Sequence, residues 1–227
     1  SVSGSTSITA AGGLGSTNWT GAGIVIRKNR WAFERGTITS QSGNTINYQD
    51  LNTYSAQAGF GFFIQNDPRT LDVNGEWYYN PSTNKIRIYS TSTPSNVKIA
   101  SIQNLVSVDR ESYLVFDNIA FTGSNSTALS CLNYGTTLTI QNCDISFTGE
   151  EGIVTEMANS TIQNNNISYV NSVGIYNTEA NGLIQSNNLT SIEMLEGMDQ
   201  NDVSAGIEIT GGNTTIKNNA LDSIGYV

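Results

Sequence analysis

Four stretches decide the fold: Ile140-Gln141-Asn142-Cys143-Asp144-Ile145, Ile162-Gln163-Asn164-Asn165-Asn166-Ile167, Ile184-Gln185-Ser186-Asn187-Asn188-Leu189 and Ile216-Lys217-Asn218-Asn219-Ala220-Leu221. Their starts are separated by 22, 22 and 32 residues. A second column, Gly152-Ile153, Gly174-Ile175 and Gly206-Ile207, keeps the spacings 22 and 32, so both columns share one ten-residue insertion. A looser copy, Phe116-Asp117-Asn118-Ile119-Ala120-Phe121-Thr122-Gly123, is echoed by Asp144-Ile145-Ser146-Phe147-Thr148-Gly149. A fixed period of this size marks a stacked repeat. Each unit is too short for a strand–helix–strand crossover and carries no 3.6-residue apolar period.

The unit reads as three short strands with turns between them. The Asn runs fall between the second and third strands. Asn accepts the left-handed backbone of a sharp bend, and its amide can bond to the Asn one coil above. Coils stacked about 4.8 Å apart form parallel sheets around inward columns of Ile, Leu and Val. The period therefore predicts an all-β chain whose residues 99–227 form a parallel β-helix of about 22 residues per coil. Its last coil breaks off at Gly225-Tyr226-Val227, so the coil stack is expected to be incomplete there and to be covered by the remainder of a longer chain or by another chain.

Residues 1–98 have a different pattern. Gly23–Arg27, Trp31–Glu34, Thr37–Thr39 and Thr45–Tyr48 alternate in the strand manner, and Gly59–Ile64 is an apolar run. Asp72–Asn80 and Lys85–Tyr89 flank Asn80-Pro81-Ser82-Thr83-Asn84, a hairpin loop. A small antiparallel β-barrel or sandwich is expected. Charge divides the chain at the same place. Residues 1–100 hold eight Lys/Arg against five Asp/Glu, whereas residues 101–227 hold two against fourteen.

Composition excludes several functions. Charged residues are 13% of the chain and the net charge is −9, which argues against a nucleic-acid partner. No apolar run is long enough to span a membrane as a helix. Histidine is absent, which removes Ser–His nucleophiles, His bases and His-ligated zinc. Cys131 and Cys143 are too few for a disulfide framework and read as small buried thiols, although pairing stays open.

The Asn-x-Ile and Gly-Ile columns resemble the right-handed parallel β-helix repeat superfamily, the pectate-lyase-like fold, over roughly residues 100–227. The resemblance implies a right-handed coil. The stretches Asn18-Trp19-Thr20-Gly21-Ala22 and Gly75-Glu76-Trp77-Tyr78-Tyr79 through Tyr89 resemble a β-domain inserted in secreted β-helix proteins of the Bacteroidetes type. That resemblance implies export, by type IX secretion, to the cell surface or medium, and glycan-processing relatives. Trp19, Trp31 and Trp77 are candidates for stacking sugars, or for packing a small core.

Alternation on the Gly-Ile strand sends Ile153, Ile175 and Ile207 inward and Val154, Tyr176 and Glu208 outward. In pectate-lyase-like enzymes this outward face and the turn before it carry the active site. The insertion, Glu193 to Ser204, falls in that turn. The site expected from these positions has Glu208, Glu151, Glu156 and Asp202 as catalytic carboxylates, with Tyr176 and Glu150 touching substrate. Two carboxylates about 5–5.5 Å apart retain configuration, and two about 6.5–9.5 Å apart invert it. The face offers no cation to serve a uronate lyase, so a glycoside hydrolase acting on a polysaccharide or other glycan is the leading expectation, with no cofactor. Asp199 and Asp202 form an alternative calcium site. A solvated acidic face is the plain alternative, and a non-catalytic surface or adhesive β-helix with a glycan-binding or spacer β-domain is the alternative function. Met194, Leu195 and Met198 are expected to pin the inserted loop to its coil.

Overall fold

The structure, a computed structural model, describes residues 6–49, 54–195 and 205–225. It divides into two compact units, one essentially residues 1–98 and one essentially residues 99–226. No helix among the described residues is long and apolar enough to cross a membrane.

In the first unit, β1 (Ser7–Thr9), β2 (Gly23–Arg27), β3 (Phe33–Ser42), β4 (Thr45–Gln49) and β5 (Phe62–Gln65) form one antiparallel sheet in the order β1-β4-β3-β2-β5. β3 joins two segments that the sequence reads as separate strands, and a bulge between Ile38 and Ser40 absorbs the change of register. Alternation buries Ile24, Ile26, Ile38, Ile46 and Tyr48 in one cluster, against which Trp19 packs. β6 (Trp77–Asn80) and β7 (Lys85–Ile88) form the expected hairpin, as a separate two-stranded ribbon. The small antiparallel domain is present as one sheet plus a ribbon; among the described residues β1 and β5 stand at the edges of the sheet, so the expected closure into a barrel is not seen.

A buried ion pair lies inside this unit. Lys28 Nζ is 3.1 Å from Glu34 Oε2, donates to the Tyr54 carbonyl at 3.0 Å, and stands 5.1 Å from the Tyr48 ring centre. The other oxygen of Glu34 accepts the Tyr54 N–H at 2.9 Å.

The second unit stacks five layers of three strands. The first is β8 (Val106–Asp109), β9 (Leu114–Asp117) and β10 (Ala120–Ser124), and the second is β11 (Leu129–Leu132), β12 (Leu138–Gln141) and β13 (Asp144–Thr148). The third is β14 (Ile153–Thr155), β15 (Thr161–Gln163) and β16 (Asn166–Val170). The fourth is β17 (Ile175–Asn177), β18 (Leu183–Gln185) and β19 (Asn188–Ile192), and the fifth is β20 (Ile207–Ile209), β21 (Thr215–Lys217) and β22 (Ala220–Ile224). Three parallel five-stranded sheets result, as the repeat predicts. Coil length is less uniform than about 22. Cross-coil partners lie 24 residues apart in Thr122–Ser146, 22 in Asn166–Asp144 and 32 across the insertion in Asn187–Asn219.

Two columns explain why this sequence coils. Ile140, Ile145, Ile153, Ile162, Ile167, Ile175 and Leu189 are fully buried in one core. Beside them runs an Asn ladder. The Asn165 amide donates to Asn187 Oδ1 and to the Ile140 carbonyl, both at 2.9 Å, and Asn187 repeats this toward Asn219 and Ile162. Each Oδ1 also accepts a backbone N–H from the coil before, Cys143 to Asn165 and Asn165 to Asn187. Asn118, Asn142, Asn164, Ser186 and Asn218 make the bend, each with φ between 53° and 58°. Outside, a Gln ladder runs Gln185 to Gln163 to Gln141 and ends on Asp117. The amides of Asn142 and Gln141 hold that carboxyl below the usual aspartate range.

Candidate functional site

The sheet β20-β17-β14-β11-β8 carries the expected site. Its inward residues Ile153 and Ile175 are fully buried, and Ile207 packs against the same core. Register places Ser107, Ser130, Val154, Tyr176 and Glu208 in one outward row. Tyr176 and Glu208 are therefore neighbours on adjacent coils, about 4.8 Å apart along the stack, and both are partly exposed.

The other acids are held elsewhere on the coil surface. Glu151 lies in the turn before β14, where one of its oxygens accepts the Thr127 hydroxyl at 2.7 Å. Glu150 is bonded in the same way to the Ser126 hydroxyl. Both point back toward the preceding coil, away from β20. On the next coil the place of Glu151 is taken by Val173, 4% exposed, whose carbonyl accepts the Gly152 N–H just as the Glu151 carbonyl accepts the Ala128 N–H. Glu208 stands two coils beyond Glu151 and three residues further along the strand. At about 4.8 Å per coil and 3.3 Å per residue, their backbones are on the order of 14 Å apart. Glu151 and Glu208 are thus not neighbours.

Glu156 follows β14, at the opposite end of the strand from Glu151. Its carboxylate accepts the Asn133 N–H at 2.8 Å, while the Asn133 amide donates to Asp109 at 2.7 Å. The face therefore holds one group of acids before the strand, one after it, and Glu208 in the middle. Asp199 and Asp202, proposed from the sequence for calcium and, in the case of Asp202, for catalysis, lie outside the described residues, as does Met198. Among the described residues no three Asp, Glu, Cys or His side chains cluster as metal ligands would. Met194 and Leu195 are 54% and 51% exposed, and the loop they were expected to pin lies outside the described residues beyond Leu195.

Two features were passed over in the sequence. Glu193, where the insertion begins, is a carboxylate only 7% exposed, on the same turn as Gly149 and Asn171. Its in-phase position in the repeat was the available signal. Phe147 and Tyr169, one coil apart, are exposed and stacked on the third sheet. Among the tryptophans, Trp19 is core packing with the Arg69 guanidinium 5.0 Å over its ring, whereas Trp31 and Trp77 are 48% and 66% exposed. Cys131 and Cys143 are both free and buried. Burial raises the Cys131 thiol to about 11.

Comparison with known proteins agrees with this architecture. A family model described as "Right handed beta helix region" matches residues 84–227. No curated protein and no solved structure matches the chain. The match takes in all fifteen strands of the coil stack, together with β7, and on that ground the chain belongs to the right-handed β-helix family.

Proposed function

We propose that this chain is a glycan-engaging β-helix of the cell exterior, with the outward row of the β20-β17-β14-β11-β8 sheet as its working surface. One observation carries the reading: Tyr176 and Glu208 stand in register on adjacent coils, both partly exposed, and in the sequence the ten-residue insertion of the repeat ends just before the strand that carries Glu208. An aromatic face stacks on the C–H side of a sugar, and a carboxylate accepts its hydroxyls. Long loops on a rigid scaffold are the usual homes of such groups. Binding is the reading favoured by the remaining acids, because Glu150, Glu151 and Glu156 each have an oxygen committed to the preceding coil.

Glycoside hydrolysis is the second reading, and Glu208 favours it. A hydrolase needs a second carboxylate within about 9.5 Å of the first, and Asp202 of the insertion, six residues before Glu208, is the candidate. The test is a panel of neutral and acidic polysaccharides, assayed with the whole chain for retention and for released reducing ends. Retention lost in Tyr176→Ala supports the binding reading. Reducing ends that vanish in Glu208→Gln, with retention kept, support hydrolysis. If neither retention nor release responds to either substitution, this face is not the working surface.

A further inference from the structure

Phe147 and Tyr169 lie on the sheet β10-β13-β16-β19-β22, a different face of the coil. Their rings are parallel to within 3°, with centroids 4.8 Å apart. They are 60% and 55% exposed. Both have left-handed backbone, φ 57° and 54°, a conformation that bulky side chains adopt at a cost. In the same column the other coils carry Gly123, Ser191 and Ser223. The core does not need the rings: Ile145, Thr148, Ile167 and Val170 anchor these strands inward and are 1% exposed or less.

A pair of stacked rings has two outer faces, and small residues flank both. Beyond Phe147 is Gly123, where even a Cβ would meet nothing within 4 Å. Beyond Tyr169 is Ser191. Each gap is one coil rise deep, about 4.8 Å, which admits one further ring laid flat on the aromatic face. Alongside runs a row of hydroxyls, Thr122, Ser146, Ser168 and Thr190, with the first two bonded to each other at 2.9 Å. Apolar ring faces beside hydroxyl donors and acceptors match a saccharide, which has C–H faces and an O–H rim. Charge selects the class. Asp144 and Asp222 flank these rows, and residues 101–227 hold fourteen acids against two cations, so an acidic glycan is repelled.

We infer that the Phe147–Tyr169 stack is a second saccharide-binding site, taking single pyranose rings of a neutral glycan on its open faces. It is independent of the Tyr176–Glu208 surface and does not rest on that reading. The test is affinity electrophoresis of the whole chain in gels containing xyloglucan, arabinoxylan, glucomannan or polygalacturonate. Tyr169→Ser and Phe147→Ser place in the column a residue it already carries at position 191, so the coil is retained. Retardation by at least one neutral polysaccharide is expected, with the double variant losing it about tenfold. The inference is overturned if no neutral polysaccharide retards the chain. It is equally overturned if the double variant is retarded as the parent is, or changes only in self-association during sedimentation.

Discussion

The two units solve the same problem, burying a β surface, by opposite means. In the β-helix every inward position is repeated on the next coil, so one rule (apolar at the Ile columns, Asn at the ladder) is applied several times over. In the antiparallel unit nothing repeats. Its cluster of Ile24, Ile26, Ile38 and Ile46 is joined by the Lys28–Glu34 pair, which among the described residues is the one ion pair with both partners buried. A small sheet with one good core face leans on single interactions, whereas a solenoid spreads its stability over neighbouring coils. Damage should therefore be concentrated in the first unit and shared in the second.

The largest expected effect comes from Lys28→Met. It leaves the Glu34 carboxylate buried without its cation, at a cost of about 3–5 kcal/mol, and urea denaturation should show the first unit unfolding early. The double variant Lys28→Met/Glu34→Leu should recover much of that loss, and the comparison breaks if it does not. Next is Asn187→Ala. It strips partners from the Ile162 carbonyl and from the N–H and amide of Asn165. Orphaned buried groups cost about 1–3 kcal/mol each, so a loss of roughly 2–4 kcal/mol is expected, read from the denaturation midpoint of the β-helix. A loss confined to the third and fourth coils, seen as faster amide exchange there, would show how far the repeat shares damage.

A smaller effect should appear with pH. The Cys131 thiol titrates near 9.0 when exposed and near 11 in the folded core. The folded state thus holds its proton after the unfolded state has released it. This stabilises the fold fully below pH 9 and is lost as pH rises toward 11, by up to about 2–3 kcal/mol. Cys131→Ala should flatten the alkaline limb of a plot of stability against pH. An unchanged limb would place its cause in another group. The smallest effect is expected for Gln163→Ala, which cuts the external ladder between Gln141 and Gln185. Such half-exposed bonds contribute about 0.5–1 kcal/mol, and a shift of only a few degrees in melting temperature is the anticipated reading.

Much of the second unit was legible because its information is periodic. The Gly-Ile and Ile-Gln-Asn columns named the inward residues, the bends and the insertion, and the Asn ladder followed from amide chemistry alone. Cys143 was harder to read: it occupies a ladder position at the end of the Asn column, where its thiol donates to the Gln141 carbonyl at 3.1 Å. The candidate acids show the limit most plainly. Alternation identified which of them face outward, and it did so correctly for Glu208. It did not disclose that Thr127 and Ser126, a full coil earlier in the chain, turn Glu151 and Glu150 away from that row.

The repeat, the three-strand coil, the inward columns and the separate character of the first unit can all be read from the order of the residues. These follow from side-chain period, which is a local property of the chain. Which acids meet, which aromatics stack and how the strands of the first unit are ordered emerge from the folded chain alone. Those depend on lateral register between segments 22 to 32 residues apart and on the hydrogen bonds that the neighbouring coil offers. A carboxylate's direction is set by its nearest partner across the sheet, and that partner is fixed by coil length, which varies here from one turn to the next.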